Sequence, residues 1–106
     1  MSAVKVHNPR LRSVRLILSA AVERIANGWT RNTHRRDING VPHFCAVGAI
    51  RSVSRDHDAE YRARTALTKT IGCGDILVYW NDDEKQTKRN VIKAFRKAIK
   101  NLTPSA

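Results

Sequence analysis

Acidic residues are scarce in this chain. Nine Asp and Glu stand against twenty Lys and Arg over 106 residues, a formal charge of +11. A surplus of that size repels itself, and a counterion cloud or an anionic partner offsets it. Nucleic acid is the commonest such partner, followed by acidic protein surfaces and anionic lipid headgroups. The plainer reading is a merely basic surface. Cysteine is also sparse: Cys45 and Cys73 lie far apart, which excludes a disulfide framework and predicts free thiols, at least one of them buried. No apolar run approaches the ~20 residues of a membrane span, so no membrane is expected as partner. The opening residues MSAVKVHNPRLRSVR lack the basic, apolar and small-residue regions of a signal peptide, and a cytoplasmic location is expected. The spacings C-x-x-C, H-x-x-x-H and H-E-x-x-H are missing, and Gly72-Cys73-Gly74 reads as a helix break and not as a phosphate loop. Neither a metal nor another cofactor is therefore expected.

What is present suits one folded domain. Hydrophobic residues make up 42% and charged residues 27%, outside the range of disordered tails. Residues 1–8 read as an arm, 9–102 as a single domain and 103–106 as a tail. Asn8 and Pro9 suit the N-cap and first position of a helix. Its apolar face is Leu11, Val14, Leu18, Ala21, Val22 and Ile25, and Gly28 is expected to end it in a left-handed turn. Residues 29–42 carry no helical period. Asn39-Gly40 and Pro42 predict an ordered loop or small hairpin, anchored by Trp29. Residues 43–54 read as a buried helix in which Gly48 would admit another backbone at close range. A further helix over about 58–71 takes its cap from Asp56 or Asp58, with Tyr61, Ala63, Ala66, Leu67 and Ile71 inward. The six residues from Asp75 to Trp80 suit a strand or a helical turn capped by Asp75, and the absence of a strand partner favours the turn. Thr87 caps a last helix to about Asn101, with Val91, Ile92, Phe95, Ala98, Ile99 and Leu102 on its apolar side. The expected architecture is mainly α: a small single-domain bundle of about four helices, with a loop or hairpin after the first. Its core gathers Trp29, Phe44, Val47, Ile50, Trp80, Ile92, Phe95 and Ile99.

Four segments have a recognisable order: Gly28-Trp29, Arg36-Asp37-Ile38-Asn39-Gly40-Val41-Pro42, Phe44-Cys45-Ala46-Val47-Gly48-Ala49-Ile50, and Trp80-Asn81-Asp82 followed by Thr87. Together they resemble an uncharacterised family, a domain of unknown function of actinobacterial and bacteriophage proteins. The likeness spans about residues 11–100. It implies a small helical domain in a phage or bacterial setting, and it implies no reaction. This chain departs from the pattern in its Lys and Arg load and in His43 before the Phe-Cys pair.

Two sets of residues bear on chemistry. Cys45, at the start of a helix, is the candidate nucleophile, with His43, His34 or His57 as base and Asn81 or Asp82 as orienter. Against this, free cysteine is among the most buried residue types, and Cys45 between Phe44 and Ala46 reads more simply as core. Trp80-Asn81-Asp82 reads chiefly as a structural turn, and His7 as solvated. The second set is basic. Residues 85–100 hold seven Lys and Arg and no acid. At 100° per residue, Arg89, Lys93, Arg96, Lys97 and Lys100 share an arc of about 100° opposite the apolar face. Asp82, Asp83 and Glu84 precede the helix, where its positive end favours anions. With Arg31, His34, Arg35 and Arg36 of the loop, the stripe would track phosphates without reading bases.

The composite expectation is a small basic phage-like accessory protein of the bacterial cytoplasm. It binds nucleic acid or an acidic host protein and performs no catalysis. A thiol enzyme built on Cys45 is the first alternative. The second is a host-inhibitory or structural protein whose basic face is incidental.

Overall fold

A computed structural model describes residues 11–73 and 76–102. Five helices and one hairpin follow in order: α1 Val14–Asn27, β1 Arg35–Ile38, β2 Val41–Phe44, α2 Ala46–Val53, α3 His57–Ile71, α4 Leu77–Asp82 and α5 Lys88–Leu102. The chain is thus mainly α, and the short α4 raises the helix count above the expected four. The predicted arm 1–8 and tail 103–106 lie outside the described residues, as do His7, Asn8, Pro9 and Asp75. No helix among the described residues is long and apolar enough to cross a membrane.

The first helix starts later than its apolar spacing suggests. Ser13 caps it, and Leu11 lies in extended backbone instead. The Leu11 N–H donates to the Val53 carbonyl at 2.7 Å and its own carbonyl accepts from Arg55 N–H at 2.7 Å. This parallel bridge satisfies backbone groups at the end of α2, which explains why Leu11 leaves the helix. At the other end Gly28 is not left-handed: its φ is −179°, ordinary extended backbone. Glycine is required there by proximity. A Cβ would stand 2.8 Å from the His43 ring and 2.8 Å from the Pro42 carbonyl oxygen. From Gly28 the chain runs beside β2, with Phe44 N–H donating to Gly28 and Thr30 N–H to Phe44.

The hairpin turns at Asn39-Gly40, whose φ values of 52° and 80° are those of a primed two-residue turn. Its second strand leads into α2, which is buried over nearly its whole length. Gly48 admits a close backbone, as its place in the helix suggests: a Cβ would fall 2.0 Å from the His34 carbonyl oxygen. The third helix is capped by Asp56 and ends at Gly72 with φ 80°. It packs through Ala59, Ala63 and Leu67, a four-residue step. Tyr61, expected inward, lies off that stripe and is 65% exposed. Glu60 is buried on the stripe's edge, accepting from Arg51 at 3.3 Å and Arg64 at 3.5 Å, and so ties α2 to α3.

The core joins α1, α2, α3 and α5 around Ile17, Leu18, Ile25, Ile50, Leu67, Val91 and Phe95. Of the expected core, Phe44, Val47, Ile50 and Phe95 are buried, whereas Trp29, Trp80, Ile92 and Ile99 are half-buried at its edge. Phe95 is the largest fully enclosed side chain. Phe95→Ala should therefore cost about 3–5 kcal/mol by chemical denaturation. An unchanged midpoint would contradict this packing of α5.

Candidate functional site

Two regions carry the residues singled out from sequence. One is the α2 N-terminus, where β2, α4 and the segment before the hairpin converge. Cys45 is the N-cap of α2, its Sγ accepting the Gly48 N–H at 3.3 Å. The imidazole beside it belongs to His34, with Nδ1 3.4 Å from Sγ. His43, the nearer in sequence, is turned elsewhere: its Nδ1 lies 3.0 Å from the Val41 carbonyl and its ring covers Gly28. His57 is solvent-exposed on α3 beside Glu60. Backbone contact holds His34 in place, since the Cys45 N–H donates to the His34 carbonyl at 3.1 Å. Asn32, Thr33, His34, Cys45, Val78 and Asp82 together line a cavity of about 320 Å³.

Asn81 does not orient a histidine. Fully buried, it accepts on Oδ1 from the Trp29 indole N–H at 2.8 Å and the Ala46 N–H at 3.0 Å. Its Nδ2 donates to the Thr30 carbonyl at 3.2 Å and to Asp82 Oδ1 at 2.9 Å. That uses all four capacities of the amide. Asp82 in turn accepts the Asn32 N–H at 2.8 Å, holding a residue with φ 70°. Among the described residues no carboxylate or carbonyl engages the second ring nitrogen of His34.

The charge environment decides what the thiol can do. Burial pushes the Cys45 pKa up from 9.0, and the Asp82 carboxylate adds to the rise, while N–H groups at the helix start work against it. The raised value keeps the thiol protonated at neutral pH, the condition of an inert structural cysteine. Cys45 acts as a capping thiol in this arrangement. Among the described residues no three His, Cys, Asp or Glu side chains are placed to hold a metal ion.

The second region is α5. Arg89, Lys93, Arg96, Lys97 and Lys100 are all exposed, as the helical arc predicts. Among the described residues none of the five is paired with a carboxylate; the ion pairs lie on the hairpin and on α2 and α3. Thr87 caps the helix through Oγ1, 3.1 Å from Asn90 N. Lys88, Arg89, Ile92, Lys93 and Arg96 line a shallow groove along it, to which no hairpin residue contributes. Arg35 and Arg36 are exposed on β1, and Arg35 is paired with Asp37 at 2.9 Å. Arg31 has a structural post. Its guanidinium lies 4.9 Å from the Trp29 ring centroid and donates to the Gln86 carbonyl, joining the loop to the α4–α5 turn.

The sequence from residue 9 to 101 matches the model of a family of unknown function, DUF6197, and the chain belongs to that family. No curated protein and no solved structure matches it.

Two outcomes follow from this geometry. Asn81→Leu strands the Trp29 indole, the Ala46 N–H and the Thr30 carbonyl, and should cost about 3–5 kcal/mol of unfolding free energy. In a Cys73→Ser background, iodoacetamide should modify native Cys45 at least about tenfold more slowly at neutral pH than it modifies the unfolded chain. Labelling as fast as in denaturant would contradict the enclosed capping role, and faster labelling would reinstate an activated thiol.

Proposed function

We propose that this family member is a small basic accessory protein, of phage or bacterial cytoplasmic setting, that binds the nucleic-acid backbone through the outer face of α5 without catalysis. The observation that supports it is the single-sign face: five exposed cations over a helix about 22 Å long, none of them paired with a carboxylate among the described residues. Ordinary solvated helix faces interleave both signs. A row of cations on a rigid helix gains from displacing the counterions condensed on a phosphate chain, at about −0.9 in log–log salt slope per duplex contact. Arg35 and Arg36 extend the positive field from the hairpin and are secondary to α5. The thiol-enzyme alternative retains one supporting contact, the 3.4 Å approach of His34 to Cys45, and is tested by the labelling above.

Lys93→Gln with Lys97→Gln should leave stability within about 0.5 kcal/mol, because both positions are exposed. The same pair should weaken binding to duplex or single strands of any sequence and flatten the salt slope by up to ~2. Fluorescence anisotropy at low and moderate salt reads both quantities. A parent protein that binds no nucleic acid even at low salt would sink this reading. An acidic host protein would then lead, ahead of a structural or host-inhibitory role in which the face is incidental.

A further inference from the structure

The turn between α4 and α5 contains a groove that a purely phosphate-tracking face does not require. It measures about 530 Å³ and is lined by Trp80, Asp83, Lys85, Gln86, Asn90 and Lys93. Trp80 is half-buried, packed against the core on one side while contributing to the groove on the other. Its backbone is pinned, since Gln86 Nε2 donates to the Trp80 carbonyl at 3.1 Å. The turn is held by Lys85 N–H donating to Asp83 Oδ1 at 2.8 Å, and Arg31 fastens Gln86 from the loop side. A half-buried aromatic residue therefore lines the groove beside the exposed Asn90 and two lysines.

Lys93 lines both this groove and the cationic groove along α5, so the two adjoin at its side chain. Aromatic surface next to hydrogen-bonding amides and cations is the chemistry that holds an unpaired base and its flanking phosphates. A duplex buries the faces of its bases and offers no such group to a groove beside the helix. We infer that the ligand of the α5 face is single-stranded nucleic acid, with one unpaired base lodged against Trp80 and the adjoining phosphates on Lys85 and Lys93. Asp83, the carboxylate among the groove's lining residues, suits a base N–H donor such as the thymine imide and disfavours a phosphate at that end, which orients the strand toward α5. This inference rests on the nucleic-acid reading of α5 and names the form of its ligand.

The experiment titrates a single-stranded oligothymidylate and a duplex of the same length, both labelled, at low salt. The single strand should bind more tightly. Trp80→Leu should weaken it about tenfold and leave duplex affinity within about twofold, whereas Trp80→Phe should retain most of the single-strand affinity. Should the leucine variant fail to fold, Asn90→Glu on the exposed helix surface leaves Trp80 in place. It sets a carboxylate at the groove, and should weaken the single strand about fivefold more than the duplex. Equal affinity for both ligands, or equal losses on both, overturns the groove assignment and leaves the basic-face reading standing. No binding of either ligand at low salt overturns the basic-face reading and this inference with it.

Discussion

The side-chain amide of Asn81 is the contact on which the rest of the molecule depends. It stands at the meeting point of the segment after α1, the start of α2 and the end of α4, and it bonds the Trp29 indole and Thr30 carbonyl of the first, the Ala46 N–H of the second and the Asp82 carboxylate of the third. The six-residue α4 is far too short to persist alone, because helix nucleation is unfavourable and few propagation steps follow it. Anchored through Asn81, it fixes where the chain enters α5, and so fixes both the groove at Trp80 and the direction in which the cations face. A buried amide with all four capacities filled also discriminates among packings, because any shift leaves a donor or acceptor unmet in a region without water to replace it.

Around that amide the backbones pack at distances only glycine allows. Gly28 lies under the His43 ring and Gly48 lies against the His34 carbonyl, so the hairpin and the loop before it press directly on the ends of α1 and α2. The choice of a thiol as the α2 cap follows from the same crowding. A serine hydroxyl would accept the Gly48 N–H more strongly, but it would carry a polar group into a site between Phe44 and Ala46, both buried. Sulfur is a weak acceptor and a good apolar filler, and at 3.3 Å it serves both needs. The capping role accounts for the position of Cys45 by packing alone.

Local signals were legible in the sequence where one element determines its own shape. The Asn39-Gly40 turn, the Asp56 and Thr87 caps, the helix break at Gly72 and both faces of α5 all depend on neighbours within a turn, and the structure has each of them. Misreadings arise where distant residues compete. Leu11 fits the apolar spacing of α1 but is drawn into a bridge with the end of α2, some forty residues away. His43 is only two residues from the cysteine in sequence, yet the strand turns it to Gly28, and Gly48 is what lets the His34 backbone in beside the thiol. Arg31 resembles its basic neighbours in composition but is committed to Trp29 and Gln86. No pattern of charges or apolar steps carries such long-range pairings, and only the Trp80-Asn81-Asp82 run hinted that polar groups there have structural work.

The division of the few acids explains the basic face better than the surplus of bases does. Asp56 caps α3, Asp82 holds Asn32 and Asn81, and Asp83 closes the α4–α5 turn. Glu60 is enclosed by Arg51 and Arg64, while Asp37 and Asp58 are paired on the hairpin and on α3. Six of the eight described carboxylates, all but Glu23 and Glu84, are thus engaged by the fold or by a cation away from α5. Among the described residues no carboxylate pairs with Arg89, Lys93, Arg96, Lys97 or Lys100, on an element whose inner side is fixed by Val91, Phe95 and Ala98. Self-repulsion along such a row costs stability in the free protein and is relieved only when an anion lies along it. A carboxylate placed among those cations would ease the repulsion; Asp83 and Glu84 instead precede the helix, where Asp83 closes the turn, and residues 88–102 themselves carry no acid.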